Sequence, residues 1–460
     1  MKSLEVVNPF DLSVIGSVLL CDWEQADQYL SIAEKLFRNR KAWLPTDERV
    51  RILKKVAHLM SARKEQLAFL IANEGGKPLI DARVEVTRAI DGVEICIKEL
   101  SHGGGEEIPM GLNTASANKL AFTMREPIGV VLAISAFNHP LNLIVHQVAP
   151  AIAVGCPVLV KPADDTPLSC EVFVNLLYEA GLPKEWCRFI PCDLDVAEKL
   201  VSDPRIAFLS FIGSAKVGWM LRSRIAAGTR CALEHGGCAP VIVGSNADIS
   251  QMIPKLVKGG FYHSGQVCVS VQRVFVPHLI AQDIAQQIAN QASLLVVDNA
   301  IKEETECGPL IRPREVDRVA SWIEEAKSEG AQIICGGTRL SKTCYEPTVL
   351  LNPHANSKVS RQEIFGPAIC VYSYEKIEEV FDMANSLPFA FQSSVFTNNF
   401  DFAFQAVKAL DASAVMINEH TAFRTDWMPF AGRRQSGYGV GGIPYTMRDF
   451  TQDKMVVMSF

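Results

Sequence analysis

The chain has 460 residues, 48% of them hydrophobic and 21% charged, which excludes a wholly disordered or collagen-like polypeptide and leaves room for about two to four globular units. Lys and Arg number 45 against 51 Asp and Glu, a net charge of −6. That balance lacks the basic footprint of a nucleic-acid binder and gives no pull toward an anionic membrane.

At the N-terminus the segment SLEVVNPFDLS has no apolar signal core. A short extended start around residues 4–14 is followed by helical patterns at 23–37, 47–73 and 81–100. Within 47–73, Asp47 and Glu48 open the first turn and Val50, Leu53, Val56 and Met60 recur at helical spacing, which predicts one capped amphipathic helix.

Short β-prone runs come next: GVVLAISAF (129–137), PVLVKPA (157–163), CRFIPCD (187–193), AFLSFIGS (207–214) and PVIVGS (240–245). Helical intervals near 142–154, 168–180, 194–202 and 216–227 separate most of them. Apolar strands joined by crossover helices predict an α/β fold with a parallel, doubly wound sheet. The most apolar stretches, 127–137 and 148–160, fall short of the roughly 20 residues of a membrane span.

Past residue 240 the alternation resumes, with helices near 249–261, 279–293 and 314–328 and strands at 272–277, 368–374 and 413–419, which predicts a second α/β unit. Two further β elements, SANKLAFTMREP (116–127) and the tail FTQDKMVVMSF (450–460), lie far apart in sequence. They pair with each other or with another subunit.

Thirteen cysteines cannot all pair, and none of their spacings is Cys-x-x-Cys or a Cys/His zinc pattern. They read as reduced thiols in a cytoplasmic protein, with no metal site. Twelve of them read as small buried hydrophobes. Cys268 differs, because it lies in the small-residue turn His263-Ser264-Gly265-Gln266-Val267-Cys268, where a thiol can face a cleft. Glu234 ends an apolar run before Gly236 and Gly237, and is either a solvated strand-end carboxylate or a buried base. Gly213 and Ser214 join a strand to a helix, either as a plain turn or as a phosphate cradle. Lys161 and Asp164 follow another strand, at the end where doubly wound sheets bind ligands. Asn138 closes the first strand, as a turn former or as an oxyanion donor.

Together and in order, AFNHPLN (136–142), KPAD (161–164), FIGSAKVG (211–218), LEHGG (233–237), SGQVC (264–268), EIFGP (363–367) and PFAGRRQSGYG (429–439) resemble the motif series of the aldehyde dehydrogenase superfamily over nearly the full length. The resemblance implies oxidation of an aldehyde to a carboxylic acid with NAD or NADP. Cys268 is then the nucleophile, Asn138 the oxyanion donor and Glu234 the base that activates water. Lys161 and Asp164 meet the adenosine ribose, Gly213 and Ser214 the pyrophosphate, and Glu363 with Phe365 the nicotinamide riboside.

By the same resemblance, residues 1–107 and 128–235 form a dinucleotide-binding domain and 236–439 a catalytic domain. Residues 108–127 and 440–460 form an oligomerisation element, so a homodimer or homotetramer is expected. Asp164 stands where relatives carry Glu, and an acid there favours NAD over NADP. Gln147, His235 and Cys238 also depart from the usual Lys, Leu and Asn. His139 and Arg424 occupy substrate-entrance positions, as in enzymes for lactaldehyde, phosphonate-bearing aldehydes or glyceraldehyde 3-phosphate. Arg424 either meets an anionic tail or pairs with Asp426 at the surface. The rival readings are an acylating enzyme that passes the thioester to coenzyme A, a non-catalytic dinucleotide-binding relative, and a thiol hydrolase using His263.

Overall fold

The computed structural model describes residues 2–460. Its first large sheet has six strands, ordered Gly437–Tyr438, Arg230–Glu234, Ile206–Ile212, Val130–Ile134, Val158–Lys161 and Cys187–Phe189. All neighbours run parallel except the outermost pair, where Gly437 lies antiparallel to Glu234. The first strand in sequence, Val130–Ile134, is central. The chain winds outward from it to one side and then returns to wind outward on the other, so a crevice opens at the carboxyl ends of Val130–Ile134 and Ile206–Ile212.

The sequence of that central strand explains its place. Every residue of VVLAI is buried. Val131 and Ala133 pack with the helices Thr46–Ala62, Leu79–Glu99 and Asn142–Val154 on one face, while Val130, Leu132 and Ile134 meet Ala26, Leu30 and Ala33 on the other. Two covered faces require a continuous apolar run, which is why no polar alternation marks it.

The second large sheet has seven strands, with Arg273–Pro277 and Pro240–Val243 near its middle and one antiparallel edge strand, Gln332–Cys335. Its strand Gln392–Phe396 escapes a hydropathy reading because QSSV places Gln392, Ser393 and Ser394 in the interior. Ser394 Oγ donates to the Glu419 carbonyl, which makes that burial tolerable. The helices Ile377–Asn385 and Phe400–Ala409 were also invisible to the sequence reading.

Residues 47–73 are two helices, Thr46–Ala62 and Lys64–Gly75. The break falls at Arg63, whose guanidinium makes two bonds of 2.9 and 2.8 Å to Glu179 on a neighbouring helix. No side chain caps the first of the two. The helix expected over 216–227 stops at Arg222. The two far-separated β elements pair with each other, Thr451–Ser459 running antiparallel to Lys119–Pro127 from Thr451↔Pro127 to Ser459↔Lys119, with Glu107–Ile108 on the other side. All thirteen cysteines are free thiols. Among the described residues no helix is long and apolar enough to cross a membrane, and no cluster of three or more His, Cys, Asp or Glu could hold a metal ion.

Candidate active site

One cavity of about 780 Å³ opens at the crevice of the six-stranded sheet and runs to the loop that carries Cys268. The helix Ile249–Phe261 ends there, and His263, Ser264 and Gly265 follow with φ of +47°, +55° and +70°. Gly265 is required at its position, because a Cβ would lie 2.1 Å from the Gly366 carbonyl oxygen. Gln266 then locks the loop. Its Oε1 accepts from the Ile311 N–H at 3.0 Å and its Nε2 donates to the Pro309 carbonyl at 3.2 Å.

Asn138, at the end of the segment that leaves strand Val130–Ile134, is buried and donates from Nδ2 to the Gln266 carbonyl at 2.8 Å. The asparagine is thus fixed two residues from Cys268. Its helix, Asn142–Val154, starts under a carboxylate from elsewhere in the chain: Glu85 accepts from the Leu141 and Asn142 N–H groups at 2.9 and 3.0 Å. Lys77, fully buried, pairs with the other oxygen of Glu85.

Glu234 is the last residue of its strand and lines the same cavity. It is no solvated strand end. Burial raises its pKa, and only Arg424 acts in the opposite direction. Gly441 packs against the carboxylate so closely that a Cβ there would meet Oε1 at 2.0 Å. Burial pushes the Cys268 thiol up to about 12, again against Arg424, with Glu363 and Glu234 adding to the rise. The resting site therefore holds a neutral thiol.

Gly213 and Ser214 lie on the cavity wall ahead of the helix Ala215–Arg222. The Gly213 N–H donates to the Glu234 carbonyl at 3.0 Å, and His235 Nδ1 lies 3.0 Å from the Gly213 carbonyl, so the glycine turn and the glutamate strand are bonded together. Glu363 and Phe365 line the cavity too. Burial raises Glu363 to about 8. Its Oε1 and the Ser135 Oγ are buried without a partner, and Phe365 meets Phe137 edge-on at 5.8 Å.

Lys161 and Asp164 are placed differently. They pair with each other at 2.7 Å and do not line the cavity, although Ala163 between them does. Gln147 sits behind the wall, its Nε2 donating to the carbonyls of Ile134 and Ser210 at 3.2 and 3.0 Å. His263 is fully buried and away from the cavity wall, which leaves it no part in a Cys/His pair there.

His139 and Arg424 both face the cavity. His139 lies 3.2 Å from the Tyr262 hydroxyl, and burial, with Lys77 and Arg88 adding to it, holds its pKa well below the ordinary range, so it is a neutral hydrogen-bonding group. The Arg424 guanidinium carbon lies over the Phe430 ring, 3.5 Å from its centroid. It does not pair with Asp426, which is bonded instead to Arg88, His146 and Asn142. The sequence reading missed Arg88 and gave Asp426 only as a surface partner for Arg424. A buried helical stripe with acids at Asp81 and Glu85 among Ala82, Val86 and Ala89 was the available signal that the helix carrying Arg88 faces a polar interior.

A family model described as the aldehyde dehydrogenase family matches residues 1–456. A 3-sulfolactaldehyde dehydrogenase of Priestia aryabhattai is 34% identical, the alignment covering 100% of this chain and 95% of that protein. A lactaldehyde dehydrogenase of Methanocaldococcus jannaschii is also 34% identical, with 100% and 98% covered. Among solved structures, the glyceraldehyde-3-phosphate dehydrogenase GapN of Methanocaldococcus jannaschii, complexed with NADP, superposes with a TM-score of 0.95 at 34% identity and 99% coverage of both chains. Aldehyde dehydrogenase 21 of Physcomitrella patens, in complex with the product succinate, gives 0.96 at 32% identity, covering 100% of this chain and 95% of that one.

Proposed function

The chain belongs to the aldehyde dehydrogenase family, and from that premise we propose how its own residues carry the NAD(P)-dependent oxidation of an aldehyde to a carboxylic acid. The observation that carries the reading is the convergence of Cys268, Asn138 and Glu234 on one cavity at the switch point of a parallel sheet. Cys268 gives its proton up to solvent as its sulfur adds to the carbonyl carbon, giving a thiohemiacetal. Asn138 and the Cys268 backbone N–H stabilise the oxygen as it becomes anionic, and the bond from Asn138 to Gln266 sets that amide in place before substrate arrives. Bound NAD(P) supplies the hydride acceptor through which the adduct becomes a thioester. Glu234 then takes a proton from the water that hydrolyses the thioester, a task suited to a carboxylate whose pKa burial has raised.

The cofactor end suits a dinucleotide. Gly213 and Ser214 offer backbone N–H groups at a strand-to-helix junction, and Glu363 Oε1 is a buried acceptor still lacking a donor, as a ribose hydroxyl would supply. Phe365 lines the same cavity, and Lys161 with Asp164, which flank the lining residue Ala163, are assigned to the adenosine ribose. NAD is the preferred form, since the Asp164 carboxylate, more than half exposed, repels a 2′-phosphate.

The substrate is a small aldehyde with an anionic tail met by Arg424 and His139. This is supported by the orientation of both side chains and by the anionic or hydroxylated aldehydes for which the similar enzymes are named. Residues 1–107 with 128–235 bind the dinucleotide, 236–439 carry the catalytic cysteine, and 108–127 with 440–460 join subunits in a dimer or tetramer. Exposed Leu120, Met124, Met455 and Val457 on the paired strands support that last role.

The test is NADH or NADPH formation with neutral, carboxylated, sulfonated and phosphorylated aldehydes. Cys268→Ala is expected to abolish turnover while cofactor still binds, and persistent oxidation in that variant would overturn the assignment.

A further inference from the structure

The wall of the cavity around Arg424 has an unusual charge balance. Asp426 is buried and accepts four hydrogen bonds: from Arg88 Nε at 3.0 Å and Nη2 at 2.7 Å, from His146 Nε2 at 2.7 Å, and from Asn142 Nδ2 at 3.2 Å. Burial works against ionisation of this carboxyl, but the bonds from His146 and Arg88 outweigh it and hold it below the usual carboxylate range. Arg88 and Asp426 therefore form one closed, neutral pair.

Arg424 has no such partner. Among the described residues it forms no ion pair within 4 Å, its Nε is buried without an acceptor, and its only polar contact is Nη2 to His146 Nδ1 at 3.5 Å, the outer limit of a hydrogen bond. Because His146 Nε2 carries the proton given to Asp426, Nδ1 presents a lone pair toward Arg424. Asp426 thus orients the guanidinium through His146 without neutralising it. The other cations near this wall are paired or neutral. Lys77 is closed by Glu85 and Lys258 by Asp81, and burial holds the pKa of His139 well below the ordinary range.

We propose that this wall is a receptor for a monoanionic tail, a sulfonate or a carboxylate, and that Asp426 sets that preference by removing the charge of Arg88 and leaving that of Arg424. The proposal rests on the reading of Arg424 as the group that meets the substrate's anion. Arg88 and Arg424, both on the cavity wall, suggest a dianion receptor at first sight, but the closed Arg88 pair leaves a single unpaired guanidinium there. A dianionic phosphate would bring one charge more than the wall can match, at a cost that is large in a water-poor pocket.

Three aldehydes of one shape test this: 3-oxopropane-1-sulfonate, 3-oxopropylphosphonate and 4,4-dimethylpentanal, whose tails are tetrahedral and carry one, two and no charges at about pH 8.5. Unmodified enzyme is expected to favour the sulfonate over the phosphonate by about tenfold or more in kcat/KM. Asp426→Asn exposes the Arg88 charge and should move that ratio about tenfold toward the phosphonate. The double variant Arg88→Gln with Asp426→Asn removes the pair together, returns the wall to one positive charge and should restore the sulfonate preference, whether or not the single variant folds. An unchanged ratio in Asp426→Asn, or a lost preference in the double variant, would overturn the proposal. Arg424→Ala separates the premise: it should lower kcat/KM for both anions relative to the neutral aldehyde, and an equal loss on all three would remove the anion-reading role itself.

Discussion

Glu234, half-buried on the cavity wall, and Asp426, buried beside Arg88 and His146, are two carboxylates of one active-site region, and their surroundings drive them in opposite directions. Glu234 makes no hydrogen bond that holds its charge, so burial dominates and its pKa rises. Asp426, the more deeply buried of the two, receives donors from Arg88, His146 and Asn142 and stays ionised. Depth therefore does not decide what a buried acid does; the supply of donors does. The unsatisfied acid is available to exchange protons, and the saturated one is fixed as an anchor.

The contrast is sharpened first by Glu234→Gln, which should lower steady-state turnover by roughly 10²–10⁴-fold while leaving a rapid first burst of reduced cofactor, because acylation does not need the base. The sign of its effect on stability also differs from that at Asp426. A carboxyl whose pKa is raised on folding costs nothing at pH below its unfolded value and costs progressively more as pH rises, since the unfolded chain ionises first. Glu234→Gln should thus unfold at an equal or higher temperature than the unmodified protein above about pH 6, where unfolded carboxylates are ionised. A drop in melting temperature would contradict the absence of donors.

Next in size is the thiol that shares the uncompensated side. With Cys268 pushed up to about 12, its alkylation by iodoacetamide in cofactor-free protein should rise about tenfold per pH unit between about pH 7 and 10 with no plateau. A plateau near neutrality would show a preformed thiolate. Asp426→Asn should instead cost about 3–5 kcal/mol of stability, because it leaves Arg88 buried and unpaired; denaturant melts would read this, and a loss below about 1 kcal/mol would mean that the pair is solvated. The smallest effect is expected at the rim, where Asp164→Ser should narrow the preference for NAD over NADP by about several-fold, as for an exposed charge. No change in the ratio would remove Asp164 from cofactor selection.

Much of this architecture was legible because apolar strands separated by crossover helices leave a strong periodic signal, and the order of motifs carried the resemblance. The strand Ala368–Tyr374 was placed to the residue. Gln392–Phe396 was not, since its buried serines are balanced by hydrogen bonds that hydropathy does not record. The break at Arg63 was hidden for a similar reason, as its partner Glu179 lies 116 positions away. Among candidate site residues, Cys268, Glu234 and Asn138 stood out by local context. Asp426 did not, because its meaning comes from Arg88, 338 positions earlier, and the obvious local reading paired it with Arg424 instead.

The pairing of Thr451–Ser459 with Lys119–Pro127, and of Gly437–Tyr438 with the strand that ends at Glu234, also dictates an order of assembly. During synthesis the early strands emerge long before their partners exist, so Lys119–Pro127 waits with an open edge until Thr451–Ser459 has left the ribosome. The parallel strands between Val130 and Glu234 can wind first from contacts close in sequence, and the late segments close over them. A nascent chain stalled near residue 430 would present the glycine turn and both carboxylates but still lack the strand that borders Glu234. It would therefore be able to collapse around its core before it could complete its active site.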